Sequence, residues 1–299
     1  AGGPEAIGGI WKTSEGLFGK FGPNRVIDTP ISESAIIGAA SGLALSGKRP
    51  VAEIMFADFV GVCMDQIWNQ LAKFRYMFGG KSRCPAVVRM IYGAGRNAAG
   101  QHSQSVHQFL TGMPGLKVVM PSTPADVKGL LAAAIRDDDP VIFLEHKALY
   151  PTTGDVPDED YTIPFGHARL TRAGNDVTLV SFGLLLGYCE QVADKLAAEG
   201  IGCDVIDLRT TSPLDEEAIL DSVEVTGRLV VVDEAPPRCN IATDIIALVA
   251  NKGYEALKAP PQAVTPLHTP VPFARELESA YLPSPEKIEA AVRKTLAWK

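Results

Sequence analysis

The chain has 299 residues, 46% hydrophobic and 21% charged. These are ordinary globular proportions, and a chain this long can bury roughly 75% of its extended surface without staples, so neither a disordered nor a fibrous chain is expected. The 28 Lys and Arg against 35 Asp and Glu leave a formal charge of −7, which argues against a nucleic-acid partner, because neutralising phosphates takes clustered basic residues. The longest apolar stretch, near Ile36–Ser46, is about ten residues long. Roughly 18 are needed to span a bilayer, so no membrane partner is expected. The chain opens Ala-Gly-Gly-Pro with no Met and no apolar signal-peptide core, and its true start is expected further upstream. Cys63, Cys84, Cys189, Cys203 and Cys239 are widely spaced with no C-x-x-C pair. That is the pattern of inert thiols in a reducing cytoplasm, not of a zinc site or a disulfide framework.

In chain order, Arg25–Asp28 and Pro50–Ile54 read as short strands. Further Val- and Ile-rich runs follow at Pro85–Met90, Lys117–Met120 and Pro140–Leu144. Helical patterns fall between them at Ser32–Leu45, Val60–Met77 and Ala125–Arg136, the last with Val127, Leu130, Leu131 and Ala134 at helical spacing. The segment around Tyr150–Asp160 is dense in Pro, Gly and acids, which predicts a surface linker over 148–175. Beyond it, Val177–Ser181, Cys203–Asp207 and Arg228–Val232 read as strands covered on both faces. Helices are expected at Leu185–Glu199, Glu216–Ser222, Ile241–Lys252 and Pro285–Leu296, with Asp215 and Ser284 as N-caps. The alternation predicts an α/β protein: two open, mostly parallel sheets with helices on both faces, divided into domains 1–147 and 176–299. No repeat of 20–50 residues is visible.

Four constellations could carry chemistry. Gly93-Ala94-Gly95-Arg96-Asn97-Ala98 matches G-x-G-x-x-A, but no helix opens at once and the next strand ends at Val119-Met120-Pro121 without an acid. A dinucleotide fingerprint needs both, so a Gly-rich loop that brings backbone close to a ligand is the better reading. Glu33 follows a strand end and leads a nearly all-apolar helix. Such a setting should raise its pKa, although an exposed first-turn Glu stabilised by the helix dipole would leave the same signature. His102, in the loop Gln101-His102-Ser103-Gln104, is the histidine placed for acid–base work. His146, His167 and His268 border loops or the linker, and no two histidines have metal spacing. In Met55-Phe56-Ala57-Asp58-Phe59, two aromatics are either core or the wall of a pocket for a flat heterocycle. Several candidates at the carboxyl edge of one sheet is where α/β ligand sites occur.

These residues, read together, resemble one family. Asp28-Thr-Pro-Ile-Ser-Glu33, Phe56-Ala-Asp-Phe59, Gln101-His-Ser-Gln104, Pro114-Gly-Leu-Lys-Val-Val119 and Lys128-Gly-Leu-Leu131 are similar to the beta subunits of thiamine-diphosphate-dependent dehydrogenases that feed lipoyl multienzyme complexes. Within that family, Glu145-His-Lys-Ala-Leu-Tyr150, Arg209-Thr-Thr-Ser-Pro-Leu-Asp-Glu216 and His268-Thr-Pro-Val-Pro-Phe273 look most like the acetoin-cleaving branch. The resemblance spans essentially the whole chain. It implies a transketolase-like pyrimidine-binding domain followed by a transketolase C-terminal-type domain. It implies Glu33 as the acid hydrogen-bonded to the aminopyrimidine ring, Phe59 packed on that ring, Ile31 lining the same pocket, and His102 facing substrate and the lipoyl arm.

The resemblance also implies a potassium site at Ala134, Ile135, Asp137 and Asp139, where Asp139 replaces a residue often Asn; oxygen-only ligation suits a hard cation. The family's magnesium–diphosphate motif begins Gly-Asp-Gly, which does not occur in this sequence. Magnesium and diphosphate are therefore expected on an alpha subunit, in an α2β2 heterotetramer docked on a lipoyl acyltransferase core. The expected activity is cleavage of acetoin with transfer of the acetyl group to lipoamide. Pyruvate or branched-chain 2-oxo acid dehydrogenase chemistry is the nearest alternative. A complete single-chain transketolase-like enzyme and a non-catalytic assembly subunit are the others; the missing Gly-Asp-Gly and the intact Glu33, Phe59 and His102 count against them.

Overall fold

The computed structural model describes residues 8, 9 and 11–298. In the first half, α1 (Leu17–Phe21) and α2 (Glu33–Leu45) precede β1 (Val51–Ile54). A 3-10 helix at Ala57–Cys63, a π-helical turn at Gln66–Leu71 and α3 (Phe74–Met77) lead to β2 (Val87–Tyr92). Then come α4 (His107–Thr111), β3 (Lys117–Val119), α5 (Pro124–Arg136) and β4 (Val141–His146). The second half holds β5 (Arg169–Arg172), β6 (Val177–Ser181), α6 (Leu184–Ala197), β7 (Cys203–Asp207), β8 (Thr210–Ser212), α7 (Glu216–Thr226) and β9 (Leu229–Val232). It ends with α8 (Ile241–Lys252), β10 (Gln262–Val264), α9 (Arg275–Tyr281) and α10 (Pro285–Leu296).

The strands form two five-stranded sheets, ordered β1-β2-β4-β3-β8 and β10-β9-β6-β7-β5. Every pairing is parallel except the antiparallel edges β8 on β3 and β5 on β7. The α/β expectation of two mostly parallel sheets therefore holds. The halves are more interlocked than the sequence implied, because β8 comes from the second half yet closes the first sheet, with Val119 opposite Thr210. One apolar cluster joins Ile37, Ile54 and Met90 of the first sheet's layers to Val180, Val231 and Ile245 of the second. The second sheet's other face packs Leu179, Val205 and Val230 against α6 and α10 through Leu186, Val192, Ile288 and Val292.

Both expected N-caps are made: Asp215 accepts from Ala218 N and Ser284 from Lys287 N, each supplying an acceptor for an orphan amide of the first turn. Residues 151–160 cross the surface, and the linker then docks on α5, where Tyr161 donates to Ala125 O at 2.7 Å. Gly129 permits this approach, since a Cβ there would lie 2.6 Å from Tyr161.

Two expectations fail. Arg25–Asp28 is not a strand; it joins no ladder and leaves Ile27 62% exposed, so its apolar residues are not used in this chain's own core. The helix expected over Val60–Met77 breaks into 3-10, π and α pieces. Val60, Cys63, Ile67 and Leu71 all face the core at helical intervals, but the run opens on Phe59-Val60-Gly61-Val62, poor helix formers. Tertiary burial sets the face while the hydrogen-bond register shifts beneath it.

Candidate active site

β1 and β2 are neighbours, so the loops leaving their carboxyl ends lie side by side. The first carries Phe56, Asp58 and Phe59; the second runs from Gly93 to His102 and on to Gln104. They meet at His102. Its ring centroid lies 4.8 Å from that of Phe56 and 5.4 Å from that of Phe59, edge-on to both at 85° and 78°. Asp58 bridges the loops: Oδ1 accepts from Ser103 N at 3.2 Å, Gln104 N at 3.0 Å and Gln104 Nε2 at 3.0 Å.

Glu33 is the first residue of α2 and is half-buried. Ser34 Oγ donates to Val62 O at 2.7 Å, fastening the start of α2 to the 3-10 helix that bears Phe59. Burial, and second to it the charge of Glu33, push the Cys63 thiol up to about 11. Glu33 thus acts over the same short helix. Ile31, by contrast, is 76% exposed and encloses nothing within this chain. Phe59 and His102 share one sheet edge, and Glu33 stands at the helix start fastened beside it.

The His102 loop is held by residues that sequence reasoning did not single out. Lys147, 1% exposed, donates to His102 O at 2.5 Å and to Ser103 Oγ at 3.0 Å. Burial lowers its pKa. Glu234 reaches over from the end of β9, accepting from Ala94 N at 2.7 Å and Ser105 Oγ at 3.0 Å, with His146 Nε2 at 2.7 Å. Burial alone would raise the Glu234 carboxyl, but the His146 ring and these donors outweigh it and hold its pKa below the ordinary value. Glu278 of α9 accepts from Gly95 N, Asn97 N and Asn97 Nδ2. Gly93, at φ 97°, has no alternative residue, because a Cβ would sit 2.1 Å from His146 Nε2. The G-x-G-x-x-A match is thus a strapped loop, as expected, rather than a dinucleotide turn.

His107 is fully buried, 2.9 Å from Asp233 Oδ1, and His146 is 2% exposed rather than in a linker. Two acids directly after a Val-rich buried strand, Asp233 and Glu234, were the available signal for these pairings. Of the thiols, Cys239 is exposed and the other four are buried, and all five are free.

At the end of α5, the chain's own cations engage the oxygens a potassium ion would need. Arg49 Nη1 donates to Ile135 O at 3.1 Å and Asp137 O at 2.6 Å. Lys117 Nζ donates to both Asp137 carboxylate oxygens, at 2.7 and 2.6 Å. Arg75 lies 3.0 Å from Asp139 Oδ1, and the Ala134 carbonyl accepts from Asp137 N at 3.3 Å. As arranged, these residues do not fit a further cation. A cavity of about 740 Å3 lies beside this corner, lined by Arg49, Lys81, Arg83 and Asp138 among others, and none of Glu33, Phe59 and His102 lines it.

Residues 1–153 match the family model described as the transketolase pyrimidine binding domain, and residues 166–288 the one described as the transketolase C-terminal domain. The chain belongs to the transketolase-like dehydrogenase beta-subunit family. It is 58% identical over 292 residues to the acetoin:2,6-dichlorophenolindophenol oxidoreductase subunit beta of Cupriavidus necator, covering 98% of this chain and 86% of that one. The protein of the same name from Bacillus subtilis is 55% identical, with 95% and 83% covered. The 2-oxoisovalerate dehydrogenase subunit beta of Bacillus subtilis is 43% identical, with 96% and 88% covered. A solved structure described as a split gene transketolase, inactive beta4 tetramer, shares the fold at a TM-score of 0.79 and 24% identity, with 96% of this chain and 88% of that one covered.

The family depends on thiamine diphosphate and its beta subunits act with an alpha partner. The residues present fit the cofactor's aminopyrimidine half. Glu33 supplies an acceptor at a helix N-terminus and Phe59 a half-buried aromatic face, while Asp58 Oδ2 is a buried acceptor with no partner among the described residues. Among the described residues no helix is long and apolar enough to cross a membrane.

Proposed function

We propose that this chain is the beta subunit of a thiamine-diphosphate-dependent oxidoreductase that cleaves acetoin and passes the acetyl group to the lipoyl arm of an acyltransferase core. The carrying observation is the identity of 58% and 55%, over 98% and 95% of this chain, to acetoin oxidoreductase beta subunits, against 43% to the 2-oxo acid dehydrogenase members. When bound, the cofactor supplies a thiazolium carbon that becomes nucleophilic on losing its proton. Glu33 would hold the aminopyrimidine ring through a hydrogen bond between its carboxyl and a ring nitrogen, and sharing that proton would favour the ring's imino tautomer. Phe59 packs on the ring, and Ile31 lines the pocket once a partner covers it. His102, its ring set between Phe56 and Phe59, serves the substrate side through proton transfer and charge stabilisation.

An alpha subunit completes the site, brings magnesium and the diphosphate pocket, and forms an α2β2 heterotetramer. Support comes from exposed apolar surface. In the first half of the chain, Ile27, Ile31, Val62, Trp68 and Phe109 are all more than half exposed, and α2 is apolar enough to be a buried helix yet leaves Ala35, Ala39 and Leu43 uncovered. Potassium at Ala134, Ile135, Asp137 and Asp139 would require Arg49 and Lys117 to swing away. We divide the chain into a pyrimidine-binding domain at 1–147, a linker at 148–175 whose Arg169–Arg172 adds β5 to the edge of the second sheet, and a C-terminal domain at 176–299. Residence in the cytoplasm agrees with five free thiols.

The test is dye reduction by the chain co-expressed with its alpha-type subunit, given thiamine diphosphate and magnesium, with acetoin, pyruvate and branched-chain 2-oxo acids in parallel. A strong preference for acetoin is expected. Preference for a 2-oxo acid would move the enzyme to the decarboxylating branch and overturn the substrate assignment.

A further inference from the structure

The loop that carries His102 is conformationally costly. Asn97 and Ala99 sit at φ 53° and 60°, a region that residues with a Cβ rarely occupy. Ala99 is linked to the histidine directly, because His102 N donates to Ala99 O at 3.4 Å, and Asn97 stands two residues before it in the same turn. Something must hold this backbone in place. Glu278 is 181 residues further along the chain than Asn97, on α9, and is 2% exposed. Its Oε1 accepts from Gly95 N at 2.9 Å, and its Oε2 from Asn97 N at 2.9 Å and Asn97 Nδ2 at 3.0 Å. All three partners are donors, so both carboxyl oxygens serve as acceptors. A buried carboxylate is tolerated only where donors are fixed around it, so loop and carboxylate hold each other. α9 is itself anchored, since Tyr281 and Leu282 pack with Ala94 and Val271 in a small apolar cluster.

We propose that Glu278 is a positioning residue for the reaction: its carboxylate fixes the turn at Asn97–Ala99 and thereby the place of the His102 ring. The second half of the chain would then set the geometry of a site built on the first. This rests on the role given to His102 above. Glu278 touches neither substrate nor cofactor and acts only through the loop. A displacement of about 1 Å at a reacting group can cost on the order of 100-fold in rate.

The test uses the α2β2 holoenzyme carrying E278Q, E278D, H102A and the E278Q/H102A pair. E278Q keeps the shape but replaces one acceptor oxygen with a donor. It should lower kcat at least 10-fold while leaving the Kd for thiamine diphosphate within about threefold, and E278D should recover part of the loss. In the H102A background the same change should cost less than about threefold, because its effect is already spent. Wild-type kcat in E278Q, or equal losses in both backgrounds, would overturn the inference. If E278Q does not assemble, Asn97→Gly removes the Nδ2 donor while keeping the N–H and tolerating the φ of 53°; it should lower kcat in the same direction by less, and an unchanged kcat would count against the inference. A fully active H102A enzyme would remove the role of His102 instead. Amide exchange at Gly95 and Asn97 would then decide for Glu278 alone, at least 10-fold faster in E278Q if it fixes the loop and unchanged if it does not.

Discussion

Replacing Lys147 with Met separates the holding of the active-site loop from the stability of the fold. The ammonium is 1% exposed and donates to His102 O at 2.5 Å and Ser103 Oγ at 3.0 Å. Methionine fills nearly the same space, so no cavity follows. Losing the donor leaves two acceptors a partner short, at about 1–3 kcal/mol each. Against this, a buried charge is removed, and its desolvation costs several kcal/mol. The downward push that burial exerts on the Lys147 pKa is the sign of that cost. The two effects oppose, so global stability should change by no more than about 2 kcal/mol, a Tm shift of about 5 °C or less. The loop beside His102 loses its tie whichever effect is larger. We therefore expect kcat of the holoenzyme to fall at least about 10-fold with cofactor Kd little changed. Calorimetry and steady-state dye reduction on one preparation measure both. A Tm loss above about 10 °C with kcat intact would refute the reasoning and make Lys147 a fold residue.

Three further outcomes are expected. Glu234→Ala leaves His146 and the Ala94 amide without their buried partner and should cost about 3–5 kcal/mol in urea unfolding; a loss under 1 kcal/mol would show that the network is not coupled. Burial, with the Asp126 charge second, pushes Asp207 from 3.8 up to about 6. The higher pKa belongs to the folded state, so its contribution is fully present below pH 3.8 and is lost as pH rises through about 6. The stability difference between wild type and Asp207→Asn should therefore change by about 2–3 kcal/mol between pH 3.5 and 7, and a flat difference would contradict the shift. Exchanging potassium for sodium at constant ionic strength should move Tm by less than about 2 °C, because Arg49 and Lys117 already engage the oxygens of Ile135 and Asp137; a potassium-specific rise of 5 °C or more would place the ion there.

Local signals were legible where local physics decides. Buried parallel strands such as Leu229–Val232 announce themselves as runs of Val, and Asp215 and Ser284 cap the helices they precede. The candidate site was legible in part, since Phe59 and His102 each follow a strand end and parallel pairing of β1 with β2 brings those ends together, whereas the strand expected ahead of Glu33 does not form. The ties that hold the loop were not legible. Lys147, Glu234 and Glu278 lie 45 to 181 residues from the atoms they hold, and no period or spacing encodes such pairs. The strand expected at Arg25–Asp28 failed for a related reason: its apolar residues look outward, as at Ile27, and hydrophobicity alone does not say whose core a residue will fill. Burial of Val60, Cys63, Ile67 and Leu71 was readable as a periodicity, but its switch between 3-10 and π hydrogen bonding was not.

The central claim is that this chain supplies the acid that activates the cofactor's aminopyrimidine ring. The most direct measurement is hydrogen exchange at the thiazolium carbon of thiamine diphosphate bound to the α2β2 enzyme, with and without Glu33→Gln. An amide at the first residue of α2 cannot share a proton with the ring as a carboxyl does. Exchange should therefore fall to near the rate of the free cofactor while the cofactor stays bound and the fold intact. Near-normal exchange in that variant would contradict the account.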